Sequence, residues 1–269
     1  MIAASNGTSL AMCNGGAEIT YDELCQRVGG LALALANQGI GPGGRIAIAL
    51  GRSFEMIIAI LGVLASGATY IPLEPSNPAA RLMTILDDCK PSILLADEDN
   101  KHLADLSGVG LMTPEEWPSQ GPIYNQKNTT GANIIYTSGT TGTPKGVEVG
   151  HSALINYVKW AATELPFTGG GAPLFTSISF DHAITNIFPP LIKGEKIILL
   201  PSIQGGRALA SALLATPNLS DLRYSYVKIT PSLFALFDKK QRAELGNRTN
   251  LLMFGGEKLS SSLISDARR

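Results

Sequence analysis

The residues with the clearest chemical potential run from Tyr136 to Gly146, Y-T-S-G-T-T-G-T-P-K-G. Small residues let backbone N–H groups approach a ligand closely and form an anion-binding nest. Thr137, Ser138, Thr140 and Thr141 add hydroxyl donors, Gly139 and Gly142 add freedom, and Lys145 adds a cation. That mixture suits a polyphosphate. It is not a Walker A loop, which places Gly-Lys-Ser/Thr after Gly and four residues; here Lys145 sits between Pro144 and Gly146. A plain flexible hairpin is the bland alternative, and it does not call for a Lys between Pro and Gly.

Other residue types offer less. Cys13, Cys25 and Cys89 form no Cys-x-x-Cys pair, and His102, His151 and His182 form no His-x-x-x-His pair. A disulfide framework or zinc ribbon is therefore not expected, and no metal-binding residues are assigned. Asp181 stands just before an apolar helical stretch, where Asp is a favoured cap. Arg45, Glu74, Arg81 and the pair Lys239-Lys240 read as solvated or structural charges.

The elements that must position the loop are legible from periodicity. Ile19 to Gly39 reads as a helix, with Thr20 and Glu23 at capping-box spacing and Gly39 as the stop. Strands are expected at 45–50, 69–73 and 92–96, with helices at 54–65 and 79–89 between them. A polar stretch, 97–130, reads as a connection. A strand at 133–136 leads into the loop, and a helix is expected over 151–164. Further strands are expected at 174–180, 196–200, 224–229 and 251–254, with helices at 183–192, 208–215 and 232–245. Strand–helix alternation on short connections means βα units and buried parallel sheets. The expected class is α/β, two sheets of βα units with flanking helices. Three parts are expected: a first α/β half (1–96), a connecting segment (97–130), and the loop with a second half (131–269).

Composition narrows the class of function. Twenty-one Lys and Arg face 22 Asp and Glu, a net charge of −1 in 269 residues. No basic surplus exists to neutralise a nucleic-acid backbone. Hydrophobic content of 45% excludes general disorder. Met56 to Leu73 is uncharged and approaches a membrane span in length, but Ser66-Gly67 and Pro72 interrupt it. Neither nucleic acid nor membrane is an expected partner. Met1 to Gly16 lacks a signal-peptide pattern, and a cytoplasmic location is expected.

The loop resembles the phosphate-loop signature of adenylate-forming enzymes: acyl-CoA synthetases, luciferases and the adenylation domains of nonribosomal peptide synthetases. Leu61 to Leu82 (LGVLASGATYIPLEPSNPAARL) is similar to the second core motif of the peptide-synthetase domains, and Ile19 to Leu24 (ITYDEL) to the first. Phe180-Asp181 resembles the start of a later motif, and Phe254 to Leu259 (FGGEKL) the segment after it. The resemblance spans nearly the whole chain and matches the N-terminal part of the acyl-adenylate-forming large domain. The motifs Asn-x-Tyr-Gly-Pro-Thr-Glu and Tyr-x-Thr-Gly-Asp do not occur, nor does the small C-terminal domain with its catalytic Lys. The chain reads as a truncated N-terminal fragment.

The resemblance implies ATP and Mg²⁺ as cofactors, with the acidic Mg²⁺ ligand expected beyond Arg269. It implies that a carboxylate is activated as an acyl-adenylate with loss of pyrophosphate, then passed to a phosphopantetheine thiol. Lys145 and Thr137 would serve catalysis. Thr137, Ser138, Gly139, Thr140, Thr141, Gly142, Lys145, Gly256 and Glu257 would meet the nucleotide. Phe180, Asp181, His182, Thr185, Ser232, Met253 and Gly255 would meet the substrate, Asp181 pairing with an α-ammonium. The implied partners are an amino acid, a carrier-protein domain and the missing C-terminal part. His151 reads as a packing or loop-anchoring residue. Two other readings stay open: an acyl- or aryl-CoA ligase fragment, and a noncatalytic nucleotide-binding remnant. The isolated fragment is expected to be inactive.

Overall fold

A computed structural model describes residues 7–122, 131–138, 144–202, 206–215, 223–261 and 263. In chain order the elements are β1 (Leu10–Cys13), β2 (Glu18–Thr20), α1 (Tyr21–Asn37), β3 (Arg45–Ala49), α2 (Phe54–Ser66), β4 (Thr69–Pro72), α3 (Ala79–Cys89) and β5 (Ile93–Ala96). Next come α4 (His102–Ser107), β6 (Leu111–Met112), β7 (Gly131–Ser138), β8 (Pro144–Gly150) and α5 (His151–Glu164). Then follow β9 (Ala172–Leu174), α6 (His182–Ile192), β10 (Ile197–Leu199), α7 (Gly206–Ala215), β11 (Val227–Ile229), α8 (Pro231–Ala235), α9 (Lys239–Asn247) and β12 (Leu252–Phe254).

The chain divides into two compact units. One, the hairpin unit, holds Asp22–Tyr157 and Ser177–Asp181; the second holds Met1–Tyr21, Val158–Thr176 and His182–Arg269. As far as it is described, the connecting segment expected at 97–130 lies within the hairpin unit. That segment contributes β6, which pairs in parallel with β5 through Leu94–Leu111 and Leu95–Met112. Through β6 the segment joins the first sheet.

The hairpin unit carries a six-stranded sheet in the order β6-β5-β3-β4-β7-β8. Neighbours run parallel except β8, which is antiparallel to β7. Ile46 to Ala49 are fully buried, as a strand covered on both faces requires. Helix α2 is set by local chemistry at both ends. Ser53 Oγ accepts from Met56 N at 3.2 Å, and Gly67 takes the left-handed conformation (φ 84°) at the stop. Gly62 on α2 lies so close to Leu31 on α1 that a Cβ there would stand 2.7 Å from its Cδ2. Under the sheet, Leu82, Ile85 and Leu86 of α3 pack with Ile71, Leu94 and Ile134.

The second unit has a four-stranded sheet, β2-β1-β10-β9, and a two-stranded parallel pair, β11-β12. Its core gathers Leu209, Leu213, Tyr224, Val227, Phe234 and Leu245, among others. One buried carboxylate organises its backbone. Glu195, 8% exposed, accepts from Gly169 N at 2.6 Å, Gly171 N at 3.1 Å and Ser225 Oγ at 2.5 Å.

Several expected elements change. The strand expected at 174–180 stops at Leu174. Ser177 Oγ accepts from Ser179 N at 3.1 Å, and Phe180 N donates back to Ser177 O, so the segment turns. The helix expected at 232–245 is two helices. Asp238 caps α9, accepting from Gln241 N at 2.8 Å while Gln241 returns a bond to Asp238 N. The helix expected from Ile19 begins at Tyr21, because Ile19 and Thr20 pair with β1. Strands β1, β2 and β8 lack a strong apolar alternation and were not expected.

Candidate active site

The site begins with a register. In the β7–β8 hairpin, Thr137 lies opposite Lys145 and Tyr136 lies opposite Gly146. Cross-strand partners share a face, and successive residues alternate. Thr137 and Lys145 therefore occupy one face side by side, both exposed. Tyr136 occupies the other with Gly146, where a Cβ would stand 3.0 Å from the Tyr136 ring carbon Cζ. A hydroxyl donor and an ammonium are thus paired at the base of the loop. Gly139, Thr140, Thr141 and Gly142 lie outside the described residues, as does the side chain of Ser138.

Within the same unit a cavity of 550 Å³ opens beside this stem. Tyr136, Thr137, Arg81, Val149, Phe180 and Asp181 are among its walls. The turn at 177–181 is drawn there in part by Ser179 Oγ, which donates to Pro72 O at 3.3 Å. Phe180 is 65% exposed at the wall. Asp181 immediately precedes α6 and also lines the cavity. Glu74 and Arg81, which sequence reasoning left without chemistry, belong to the same wall.

The second unit collects a different set. His182 and Thr185 on α6 are 8% and 1% exposed. Lys228 on β11 donates to Thr185 Oγ1 at 2.7 Å and to His182 O at 3.4 Å. Tyr226 donates to Thr185 O at 2.6 Å. A Cβ on Gly255 would meet Lys228 Cε at 3.7 Å and His182 Cε1 at 3.9 Å. Met253 is the register partner of Lys228 across β11–β12. His182, Thr185, Met253 and Gly255 are therefore brought together around Lys228, which sequence reasoning missed. Its signal was a lone cation inside the apolar run Y-S-Y-V-K-I.

Ser232 and Glu257 are joined to each other. Ser232 N donates to Glu257 Oε2 at 2.9 Å and Ser232 Oγ to Oε1 at 2.7 Å. Those hydrogen bonds hold the exposed Glu257 carboxyl below its ordinary range. Gly256 follows β12 with φ 81°, a conformation that favours glycine. His151 opens α5 with its Nε2 enclosed and without a hydrogen-bond partner, and burial lowers its pKa.

The donor set of the hairpin fits a nucleotide phosphate: an ammonium and a hydroxyl adjoin a nest-forming loop sequence. A resident Mg²⁺ does not fit the described residues, among which no cluster of three or more His, Cys, Asp or Glu could hold a metal ion. Among them also, no helix is long and apolar enough to cross a membrane.

The family model for AMP-binding enzymes matches residues 2–269, and the chain belongs to that family. Bacitracin synthase 3 of Bacillus licheniformis is 32% identical over 268 residues, 95% of this chain and 4% of that protein. Tyrocidine synthase 3 of Brevibacillus parabrevis is 33% identical over 254 residues, 91% of this chain and 4% of that protein. The chain thus spans a small part of these relatives' length. Among solved structures, the nonribosomal peptide synthetase FmoA3 aligns with a TM-score of 0.84 at 23% identity, covering 99% of this chain and 29% of that one. The Klebsiella oxytoca NpsA N-terminal subdomain, in complex with 3-hydroxybenzoyl-AMSN, aligns at 0.81 and 22%, covering 99% and 67%. The fold is that of the N-terminal subdomain of such adenylation domains.

Proposed function

We propose that this chain is part of an ATP-dependent ligase that activates an amino acid as its aminoacyl-adenylate. The observation that carries the reading is the Thr137–Lys145 rung beside a cavity that also receives Asp181. In the proposed step a substrate carboxylate oxygen attacks the α-phosphorus of ATP. The bond from that phosphorus to the bridging oxygen breaks, and pyrophosphate leaves with the electron pair. Negative charge grows on the leaving group, so the Lys145 ammonium and Thr137 hydroxyl bind the transition state more strongly than the ground state. Asp181 supplies the anion that orients the α-ammonium. Ser138, Gly139, Thr140, Thr141 and Gly142 are proposed to cradle phosphates, and Gly256 and Glu257 to border the adenine. Phe180, His182, Thr185, Ser232, Met253 and Gly255 are proposed as substrate contacts. The activated acyl group is proposed to pass to the phosphopantetheine thiol of a carrier-protein domain in a multidomain synthetase.

Binding to the 269-residue chain tests the division of labour. MgATP and a panel of amino acids are titrated separately against wild type, Asp181→Asn and Lys145→Ala. Asp181→Asn is expected to abolish amino-acid binding and spare MgATP; Lys145→Ala is expected to do the reverse. Intact amino-acid binding in Asp181→Asn would make Asp181 a helix cap alone and favour a plain carboxylic acid as substrate.

A further inference from the structure

The hairpin that presents Thr137 and Lys145 has an unusual weakness. Among the described residues, strand β8 is the edge of its sheet, paired on one side by β7, and four of its seven residues are exposed. An edge strand held by a single ladder slips and frays more easily than a central one. Yet the chemistry needs two neighbouring rungs near the loop, Tyr136–Gly146 and Thr137–Lys145, held in one register. Side chains on the face away from Thr137 and Lys145 supply that restraint. The Tyr136 ring packs against the α3 cluster that includes Leu82, Ile85 and Leu86. Its hydroxyl donates to Asp88 Oδ2 on α3, a charge-assisted bond, stronger than one between neutral groups. Above the ring, the missing Cβ of Gly146 leaves the space that Tyr136 occupies. Two rungs further down, Glu148 of β8 lies 3.8 Å from Arg45 of β3, both half-exposed, a weaker tether.

We propose that Asp88 is a positioning residue for the phosphate hairpin, acting through Tyr136 to lock the rung that aims Thr137 and Lys145 at the nucleotide phosphates. The proposal rests on the ligase reading above. Asp88 touches no phosphate itself; it is 49 residues upstream of Thr137 and on the opposite face of the hairpin. Burial, with the Asp88 hydrogen bond adding to it, pushes the Tyr136 phenol up, so the hydroxyl stays a donor across neutral pH.

Four variants test it: Asp88→Ala, Asp88→Asn, Tyr136→Phe and the double variant Asp88→Ala/Tyr136→Phe. Two quantities are read, the dissociation constant for MgATP and the hydrogen-exchange rates of the Thr137 and Gly146 amides. Asp88→Ala and Tyr136→Phe are each expected to weaken MgATP and speed hairpin exchange roughly two- to tenfold, the span of one net hydrogen bond. Amides of β3 should not change. The double variant should be no worse than the worse single one, because both remove the same bond. Asp88→Asn, whose amide oxygen still accepts, should recover most of the loss. Wild-type affinity and wild-type hairpin exchange in Asp88→Ala, or additive losses in the double variant, would overturn the proposal. Lys145→Ala separates the two readings. If it weakens MgATP while Asp88→Ala does not, the phosphate reading stands and the positioning role fails. If wild type binds no MgATP, the phosphate reading fails, and hairpin exchange alone decides whether Asp88 holds the stem.

Discussion

The hairpin unit and the second unit hold their candidate groups by different means. In the hairpin unit Thr137 and Lys145 are exposed, and their adjacency follows from backbone register in one antiparallel ladder. In the second unit His182 and Thr185 are buried, and hydrogen bonds from Lys228 and Tyr226 tie them together. The contrast extends to what supports each set. Apolar close packing, α1 on α2 and α3 under the sheet, supports the hairpin. In the second unit a buried carboxylate, Glu195, gathers loop backbone beside β11. Register tolerates changes of side chain on the exposed face. A buried polar network does not, because each partner removed leaves another unsatisfied.

The largest effect is expected where that network is removed. Glu195→Leu would strand two backbone N–H groups and a hydroxyl, and is expected to cost about 3–5 kcal/mol in urea unfolding. A loss below about 1 kcal/mol would show that water replaces the carboxylate, and the contrast between the units would shrink.

Next is the packing that supports the hairpin. Gly62→Val places a Cβ into Leu31, whose Cδ2, Cγ and Cβ would all lie within 3.0 Å. Overpacking of this kind is expected to cost about 2–3 kcal/mol. Thermal unfolding checks it; a stabilised variant would mean that α1 and α2 part freely.

The smallest effect is electrostatic. Burial alone would raise the Glu55 carboxyl, but the hydrogen bond and charge of Arg27, at 2.7 Å, together with hydrogen bonds from its own backbone and Ser53, hold it below the ordinary value. A depressed carboxyl stabilises the fold above its unfolded pKa, and that stability is lost as the pH falls through the folded one. Arg27→Met is therefore expected to cost about 1 kcal/mol at pH 7, discounted for partial exposure, and progressively less below pH 4.5. A penalty that is the same at pH 7 and pH 3 would assign the role of Arg27 to its aliphatic stem.

How far the sequence could be read tracks how local each signal is. The helix 79–89 was legible to the residue, and α2 to within one, because apolar spacing, Ser53 and Gly67 act within a few residues. The loop motif was legible as a motif because its small residues, hydroxyls and Lys145 are contiguous. β8 was not: Gly146, Glu148 and Gly150 break the alternation, and its strand character comes from pairing with β7. Lys228 was not, because its relation to Thr185 spans 43 residues. β6 was not, for the same reason, since Leu111 and Met112 gain strand character beside β5.

By itself, then, the sequence determined the βα alternation, the loop and the acid at 181, all written in neighbouring residues through periodicity, capping and steric freedom. The tertiary structure alone decided that Asp181 shares a cavity with Thr137, that Lys228 stands among His182, Thr185 and Gly255, and that Tyr136 finds Asp88. Such pairings depend on which distant elements pack together. A buried or half-buried polar group takes whatever partner that packing delivers, and no local pattern encodes it.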